Sequence, residues 1–448
     1  MTANTQNMTK RIPNLSPNVV LAYSTLVFLG AVIGYAFFHD ILKAVGLAGI
    51  IAIILGAARY PVITIVALFA DYAFTRIFPG SGNPFVLDIV VLLMVWLALF
   101  RRRQTQIYIS PKVIYVYLLL IITVIQSEFW DNGYNLAQPQ RYYYLAIGFL
   151  SLFIIQTVRD RWIVFVSYIF TSLSFSLWVL LRANHGEITT ANRGFEVMDP
   201  NYLSSVIWIG VILLLAIVIR KQLLRWYLRI LLIVPILTCI YALSFLTSRG
   251  ALIAMVIGAV TMLIFRFPNP KTLVLNICIL FVAIPMVIRL PVFDGFRTYV
   301  ASDSTENAGG RTEIWRGIKH NLETADTRRL LLGGGTGYTY VATIGSYGRH
   351  GWHSHNAFLE LVLDYGLLGL FVFLWLIIIA LRNAVYDYKH ANSTGIGMLG
   401  VMAFLIIDSL SLSPFMYIWG WILLSHALTT VKLPFNSSAV DELCKSAN

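Results

Sequence analysis

The sequence predicts an all-α polytopic membrane protein, a bundle of about 12–14 membrane-spanning helices with one large loop. Hydrophobic residues make up 58% of the 448 residues and charged residues 12%, whereas a soluble globular domain carries roughly 25% charged residues. Apolar runs of about 17–25 residues recur along the whole chain, and this length crosses a bilayer as an α-helix. A transmembrane β-barrel would instead show alternating segments of about ten residues, which the sequence lacks.

Hydropathy divides the chain into about fourteen candidate spans, the last two forming a short hairpin broken at Ser413-Pro414. The whole chain, residues 1–448, is predicted to be a single membrane domain, with the large loop at residues 290–356. The candidate spans lie near residues 19–38, 41–57, 61–76, 86–100, 112–127, 142–157, 162–181, 201–219, 230–247, 251–265, 272–289, 357–380, 396–412 and 415–430.

Basic residues predict the orientation of these spans. Lys and Arg follow each even-numbered span from the fourth to the twelfth, as in Arg101-Arg102-Arg103 and in Arg382 with Lys389. By the positive-inside rule these loops and both termini are cytoplasmic, and segment 290–356 faces outward. The same rule explains most of the net charge of +12, so no nucleic acid partner is predicted. A second contribution would come from outward-facing arginines that bind an anionic lipid-linked substrate.

The segment Trp352-His353-Ser354-His355-Asn356 closes the large loop and opens the twelfth span. A helix N-terminus offers free N–H groups and a positive dipole end, which favours an anion such as a phosphate. The same helix terminus lowers the pKa of a nearby histidine, which then stays neutral and can act as a general base. Asn356 is a candidate N-cap that could also orient a ligand. The alternative is that both imidazoles are ordinary interfacial residues.

Two arginines are candidate ligands of a phosphate. Arg249 lies in a very short turn between two spans, and Arg311 precedes a predicted amphipathic helix that runs to Leu322. A guanidinium suits phosphate oxygens because it can donate two parallel hydrogen bonds. The alternative for each is a contact with lipid headgroups. Weaker candidates of the same kind are Arg141, Arg182 and Arg193.

Glu360 and Asp364 share one face of the twelfth span, within reach of the histidines. Acids inside a membrane pair with arginine or line a wet cavity, so they either take a direct part in catalysis or pair with Arg249 or Arg311. With these arginines, the predicted substrate-binding residues are His353, Asn356 and Glu360. The sequence contains no Walker loop, dinucleotide fingerprint, H-E-x-x-H or G-x-S-x-G motif, and no cofactor or metal is predicted.

Several of these residues resemble a known family. The run His355-Asn356, nine residues, then Gly366-Leu367-Leu368-Gly369 is similar to the H-N-x9-G-x-x-G signature of the bacterial O-antigen ligase and O-antigen polymerase family. Thr247-Ser248-Arg249-Gly250 resembles its short arginine turn, and Gly310-Arg311 resembles the start of its large periplasmic loop. The resemblance covers residues 195–375 approximately.

The resemblance implies a metal-independent, inverting glycosyltransferase in the bacterial inner membrane, with its site facing the periplasm. The implied donor is a glycan on undecaprenyl pyrophosphate, gripped by Arg249 and Arg311, and the implied acceptor is a lipid or another glycan. His355 would be the catalytic histidine, favoured over His353 by the motif spacing.

Alternatives to this function stay open. A ligase and a polymerase of O-antigen or exopolysaccharide differ only in the acceptor, and the His-Asn spacing favours the ligase type. A transporter or flippase is the competing class, because intramembrane acids, which include Asp71, Asp88 and Glu360, could form an ion path.

Overall fold

The computed structural model describes the following residues: 56–57, 59–77, 94, 109–127, 139–184, 199–219, 226–246, 248–267, 269–294, 297, 311–343, 353–389, 394–413, 415 and 417–429. The predicted spans at 19–38, 41–57 and 86–100 lie wholly or almost wholly outside them. The chain divides into two compact units, Met1–Ile63 and Thr64–Asn448. Because nearly all of the first unit lies outside the described residues, the single membrane domain stays a prediction. The fold and the site belong to the second unit.

The described regular structure is helical, which confirms the predicted all-α class. The helices are α1 Ile63–Ile77, α2 Pro111–Ser127, α3 Pro139–Ile154, α4 Val158–Asn184, α5 Pro200–Ile219, α6 Trp226–Leu231, α7 Ile233–Leu246, α8 Arg249–Arg266, α9 Pro270–Ile288, α10 Arg311–Thr324, α11 Thr327–Leu332, α12 Tyr338–Thr343, α13 Ala357–Lys389, α14 Gly395–Asp408 and α15 Ile418–Leu428, with a 3-10 turn at Pro291–Phe293.

Among the described helices, five are long and apolar enough to cross a membrane: Val158–Asn184, Pro200–Ile219, Tyr227–Leu246, Arg249–Arg266 and Ala357–Lys389. Shorter apolar helices occupy the other predicted spans in the described part, and the predicted break of the last hairpin falls between α14 and α15. Some large apolar side chains on these helices are more than half exposed, as expected of surfaces that contact lipid. Examples are Ile122, Phe170, Leu237, Phe281, Phe371 and Ile378.

Small residues let the helices approach closely. Helices α8 and α14 share an extensive contact, in which Gly258 lies against Gly400: a β-carbon at Gly258 would be 2.8 Å from the Gly400 carbonyl oxygen. Helix packing inside a membrane relies on such close backbone approach, because lipid competes with any purely hydrophobic gain. The pairing matters for the site because α8 begins with Arg249.

A buried ion pair and its hydrogen bond connect α4, the C-terminal end of α13 and the end of α15. Arg161 of α4 is fully buried and pairs with Asp387 near the end of α13. Its Nη2 also donates to the Thr429 hydroxyl just after α15, over 3.2 Å. Because a buried charge is tolerated only when it is paired and hydrogen-bonded, this cluster fixes the relative positions of α4, α13 and α15.

The predicted amphipathic helix in the large loop is confirmed as α10. Its buried residues Ile314 and Ile318 form a small core with Tyr338 and Ala342 of α12 and with Leu363 of α13. This apolar contact seats the loop on the first turns of α13, next to the histidine segment.

Candidate functional site

The turn formed by Ser354, His355 and Asn356 leads into α13. The Asn356 side-chain oxygen accepts hydrogen bonds from the N–H groups of Phe358 (3.0 Å) and Leu359 (3.1 Å), so the predicted N-cap is confirmed. The Ser354 hydroxyl donates to the Asn356 carbonyl oxygen (2.7 Å) and accepts from the Asn356 N–H (3.0 Å). His355 has a φ of 51°, a left-handed conformation that costs a residue with a side chain about 1–2 kcal/mol. The surrounding hydrogen bonds hold the turn in this strained shape.

His355 is half-buried, and its surroundings favour the neutral imidazole. Burial lowers the pKa of His355 below its usual value, and the positive charge of Arg311 lowers it further, against the opposing effect of Asp199. A histidine with a lowered pKa is neutral at pH 7 and can accept a proton. The sequence predicted this neutrality from the helix terminus, whereas the structure shows burial to be its main cause.

Arg311 reaches the histidine turn because α10 is anchored there. The indole N–H of Trp315, one turn into α10, donates to the Ser354 carbonyl oxygen over 2.9 Å. Arg311 is the first residue of α10 and lies close enough to act electrostatically on His355. The structure therefore brings together two residues that the sequence separates by most of the large loop.

Arg249 adjoins the segment Asp408–Ser413, which connects α14 to α15. Arg249 opens α8, whose N-cap is Ser248, and a β-carbon on the next residue, Gly250, would collide with the Ser411 side chain. The same segment contacts the start of α13, where the Ala357 N–H donates to the Ser409 carbonyl oxygen over 2.8 Å. Arg249 and the histidine turn thus flank one short connection.

Two acids that are not among the predicted catalytic or substrate-binding residues also belong to this site. Asp199, just before α5, acts electrostatically on His355, and buried Asp408 at the end of α14 is within electrostatic reach of both Arg311 and Asp199. The available signal was an acidic residue at the end of an apolar run, where charge is expensive unless it is paired or functional.

The acids of α13 have a different partner from those expected. The sequence offered Arg249 or Arg311, but Asp364 pairs with Arg141 of α3, and the Arg141 Nη2 lies 3.9 Å from the Glu360 carboxylate. Asp364 also accepts hydrogen bonds from the N–H and hydroxyl of Thr339, each over 2.9 Å. Arg141, a weaker phosphate candidate by sequence, therefore belongs to an internal network that joins α3, α12 and α13.

The two histidines occupy different surroundings. The His353 Nε2 forms a hydrogen bond with the Tyr340 hydroxyl, and its Nδ1 lies 3.6 Å from the Glu360 carboxylate. Within the described part of the chain, no hydrogen bond occupies the ring of His355. The motif spacing favours His355 over His353 as the reacting histidine, and this choice stays a prediction.

The glycine stretch at residues 333–337 is a tight connection that packs on α13. The N–H groups of Gly334 and Gly335 donate to the carbonyl oxygens of Leu363 (2.8 Å) and Asp364 (3.0 Å). These acceptors are freed because α13 is kinked at Gly366, which has φ 71° and ψ −176°. Gly366, which nine residues separate from Asn356, thus leaves space for the loop that contains α11 and α12.

Among the described residues, no group of three or more His, Cys, Asp and Glu side chains is arranged to hold a metal ion.

The comparison with known families agrees with this geometry. Residues 234–374 match a family model described as O-antigen ligase. This match supports the predicted assignment to the O-antigen ligase and polymerase family. The matched region contains Arg249, Arg311 and His355. No curated protein matches the chain significantly. The match and the long apolar helices together support a membrane-embedded activity of the O-antigen ligase or polymerase type.

Proposed function

We propose that the protein transfers a glycan from undecaprenyl pyrophosphate to a sugar hydroxyl of an acceptor, at the periplasmic face of the inner membrane. One observation carries the proposal: His355 is a half-buried imidazole with a lowered pKa, set in a strained turn and close to the cation Arg311. A neutral base beside a fixed cation suits a reaction that removes a proton from an alcohol and expels an anion.

The reaction balances with these groups alone. The His355 imidazole removes the proton of the acceptor hydroxyl, whose oxygen attacks the anomeric carbon of the donor sugar. The bond between that carbon and the phosphate oxygen breaks, and undecaprenyl pyrophosphate leaves with the electron pair. Attack opposite the leaving group inverts the configuration at the anomeric carbon.

Arg249 and Arg311 are proposed to bind the pyrophosphate. A guanidinium donates two parallel hydrogen bonds to phosphate oxygens and keeps its charge at any physiological pH. Two such groups stabilise the charge that develops on the leaving group, which is the part a divalent cation has in other transferases. The proposed reaction is therefore metal-independent.

The acceptor distinguishes a ligase from a polymerase. A ligase transfers to the sugar of a lipid core, and a polymerase transfers to the end of another lipid-linked repeat. We favour the ligase type, on the His-Asn spacing. Pairing of Glu360 and Asp364 with Arg141 argues against the transporter alternative, because both acids of α13 are tied up in an internal network.

The test is transfer of glycan by purified protein in liposomes that already carry donor lipid on the outer surface. Substitution of His355 by alanine is expected to abolish transfer, and substitution of His320, an exposed histidine of α10, is expected to leave it unchanged. A chelator should have no effect. Equal turnover by both variants would remove His355 from the mechanism, and loss of activity with chelator would show that a metal is needed. Core lipid and lipid-linked repeat, supplied separately, decide between ligase and polymerase.

A further inference from the structure

Glu360, in the first turn of α13, contacts the residues that precede His355. Its Oε1 accepts a hydrogen bond from the Ser354 N–H over 3.2 Å and lies 3.3 Å from the Ser354 hydroxyl oxygen, whose proton is donated to the Asn356 carbonyl oxygen. Oε1 also lies 3.6 Å from Nδ1 of His353. The carboxylate therefore holds the backbone immediately before the strained residue, while the Asn356 cap fixes the backbone immediately after it.

The other side of the Glu360 carboxylate faces the protein interior. Its Oε2 lies 3.9 Å from the Arg141 guanidinium, which also pairs with Asp364. The Glu360 side chain is only 5% exposed. A carboxylate enclosed in this way has protein partners for both oxygens and little surface to offer a sugar.

The Tyr340 hydroxyl, on α12, contacts the His353 ring on the side away from Glu360. If the Tyr340 hydroxyl donates to Nε2 of His353, the proton of that ring lies on Nδ1, which is the nitrogen facing Glu360. This tautomer is the one that the Glu360 carboxylate stabilises, because an N–H facing a carboxylate is favourable. His353 thus links α12 to α13 across the histidine turn.

We propose that Glu360 is a positioning residue: its buried carboxylate holds the Ser354 backbone and so keeps the His355 imidazole in the geometry needed to take the acceptor proton. This inference rests on the proposed function and names a residue that acts on the reaction without touching the substrate. A displacement of about 1 Å in a reacting group can lower a rate by roughly a hundredfold.

The test compares Glu360→Gln with Glu323→Gln in the full-length protein. Glutamine keeps the shape of Glu360 but removes its charge, and Glu323 is an exposed acid of α10 that pairs with Lys319 of the same helix. We expect Glu360→Gln to lower kcat by about 10–100-fold with donor KM within about twofold of wild type. Glu360→Asp, which restores the charge with a shorter reach, should recover part of the loss. Glu323→Gln should match the wild type.

A spectroscopic readout keeps this inference separate from the proposed activity. Histidines labelled with ¹³C at Cε1 report the His355 environment by NMR in the resting protein, with its signal assigned by His355→Gln. Glu360→Gln should shift or broaden that signal, and Glu323→Gln should not. An unmoved signal with unchanged kcat would overturn the positioning role, as would a raised donor KM at unchanged kcat, which would make Glu360 a substrate ligand. A shifted signal in a protein that transfers no glycan would support the positioning role and refute the proposed function.

Discussion

Substitution of Gly366 by alanine tests the packing that supports the site. Gly366 kinks α13 with φ 71° and ψ −176°, a backbone conformation that is essentially restricted to glycine. A β-carbon at this position would collide with the backbone carbonyl group of Leu331, at the end of α11. Because the obstacle is backbone, no side-chain rotation can relieve the contact, and α11 must move away from α13.

The expected loss of stability in Gly366→Ala has two separate contributions. Holding alanine in the conformation of Gly366 costs about 1–3 kcal/mol, and inserting a methyl group into a filled space costs a further 1–3 kcal/mol or so. Together these lower the free energy of unfolding by about 2–6 kcal/mol. Gly337 provides a matched control, because its φ is 85° but a β-carbon there would meet nothing within 4 Å. Alanine at Gly337 should therefore lower the free energy of unfolding only by the cost of the left-handed backbone conformation, about 1–2 kcal/mol.

The free energy of unfolding can be measured by denaturant titration of the purified protein in mixed micelles, followed by tryptophan fluorescence. Glycan transfer at a temperature where both variants stay folded then shows whether the site depends on this packing. We expect Gly366→Ala to be the less stable variant and the one with lower activity. If Gly366→Ala is as stable as wild type, or if Gly337→Ala destabilises as much, the account of the kink is wrong.

Other predictions concern the site itself. Because the charge of Arg311 lowers the pKa of His355, Arg311→Gln should raise that pKa and move the acid limb of the kcat/KM profile to higher pH. If the acid limb does not move, Arg311 does not influence the pKa of the reacting group. Arg249→Ala should raise donor KM more than Arg249→Lys does, because lysine keeps the charge but not the bidentate geometry, and exposed Arg316→Ala should leave donor KM unchanged. Wild-type donor KM in both Arg249 variants would argue against a phosphate contact. Trp315→Phe removes the hydrogen bond that anchors the histidine turn, worth about 1 kcal/mol, and kcat should fall severalfold, as measured beside thermal stability.

The sequence predicted the helical class, most spans and the amphipathic helix, because these depend on local periodicity and composition. It also placed His355 at a helix start, since an asparagine before a long apolar run is a local capping signal. It did not predict that Arg141 pairs with Asp364, because an ion pair between α3 and α13 depends on how distant helices pack. Nor did it predict how the glycine stretch at residues 333–337 packs, because that packing depends on the kink at Gly366, which only the folded structure shows.

The same positive charge serves two purposes in the proposed reaction. Before the donor binds, Arg311 and burial lower the pKa of His355 and keep the imidazole neutral. A bound pyrophosphate would offset the charge of Arg311, and a nearby anion raises the pKa of a histidine, so the base becomes stronger when the substrate is in place. The acid limb of the kcat profile, which reports the enzyme with substrate bound, should therefore lie at higher pH than that of kcat/KM, which reports the free enzyme. If the acid limbs of the two profiles coincide, the bound anion lies too far from His355 and Arg311 to change the pKa of the imidazole.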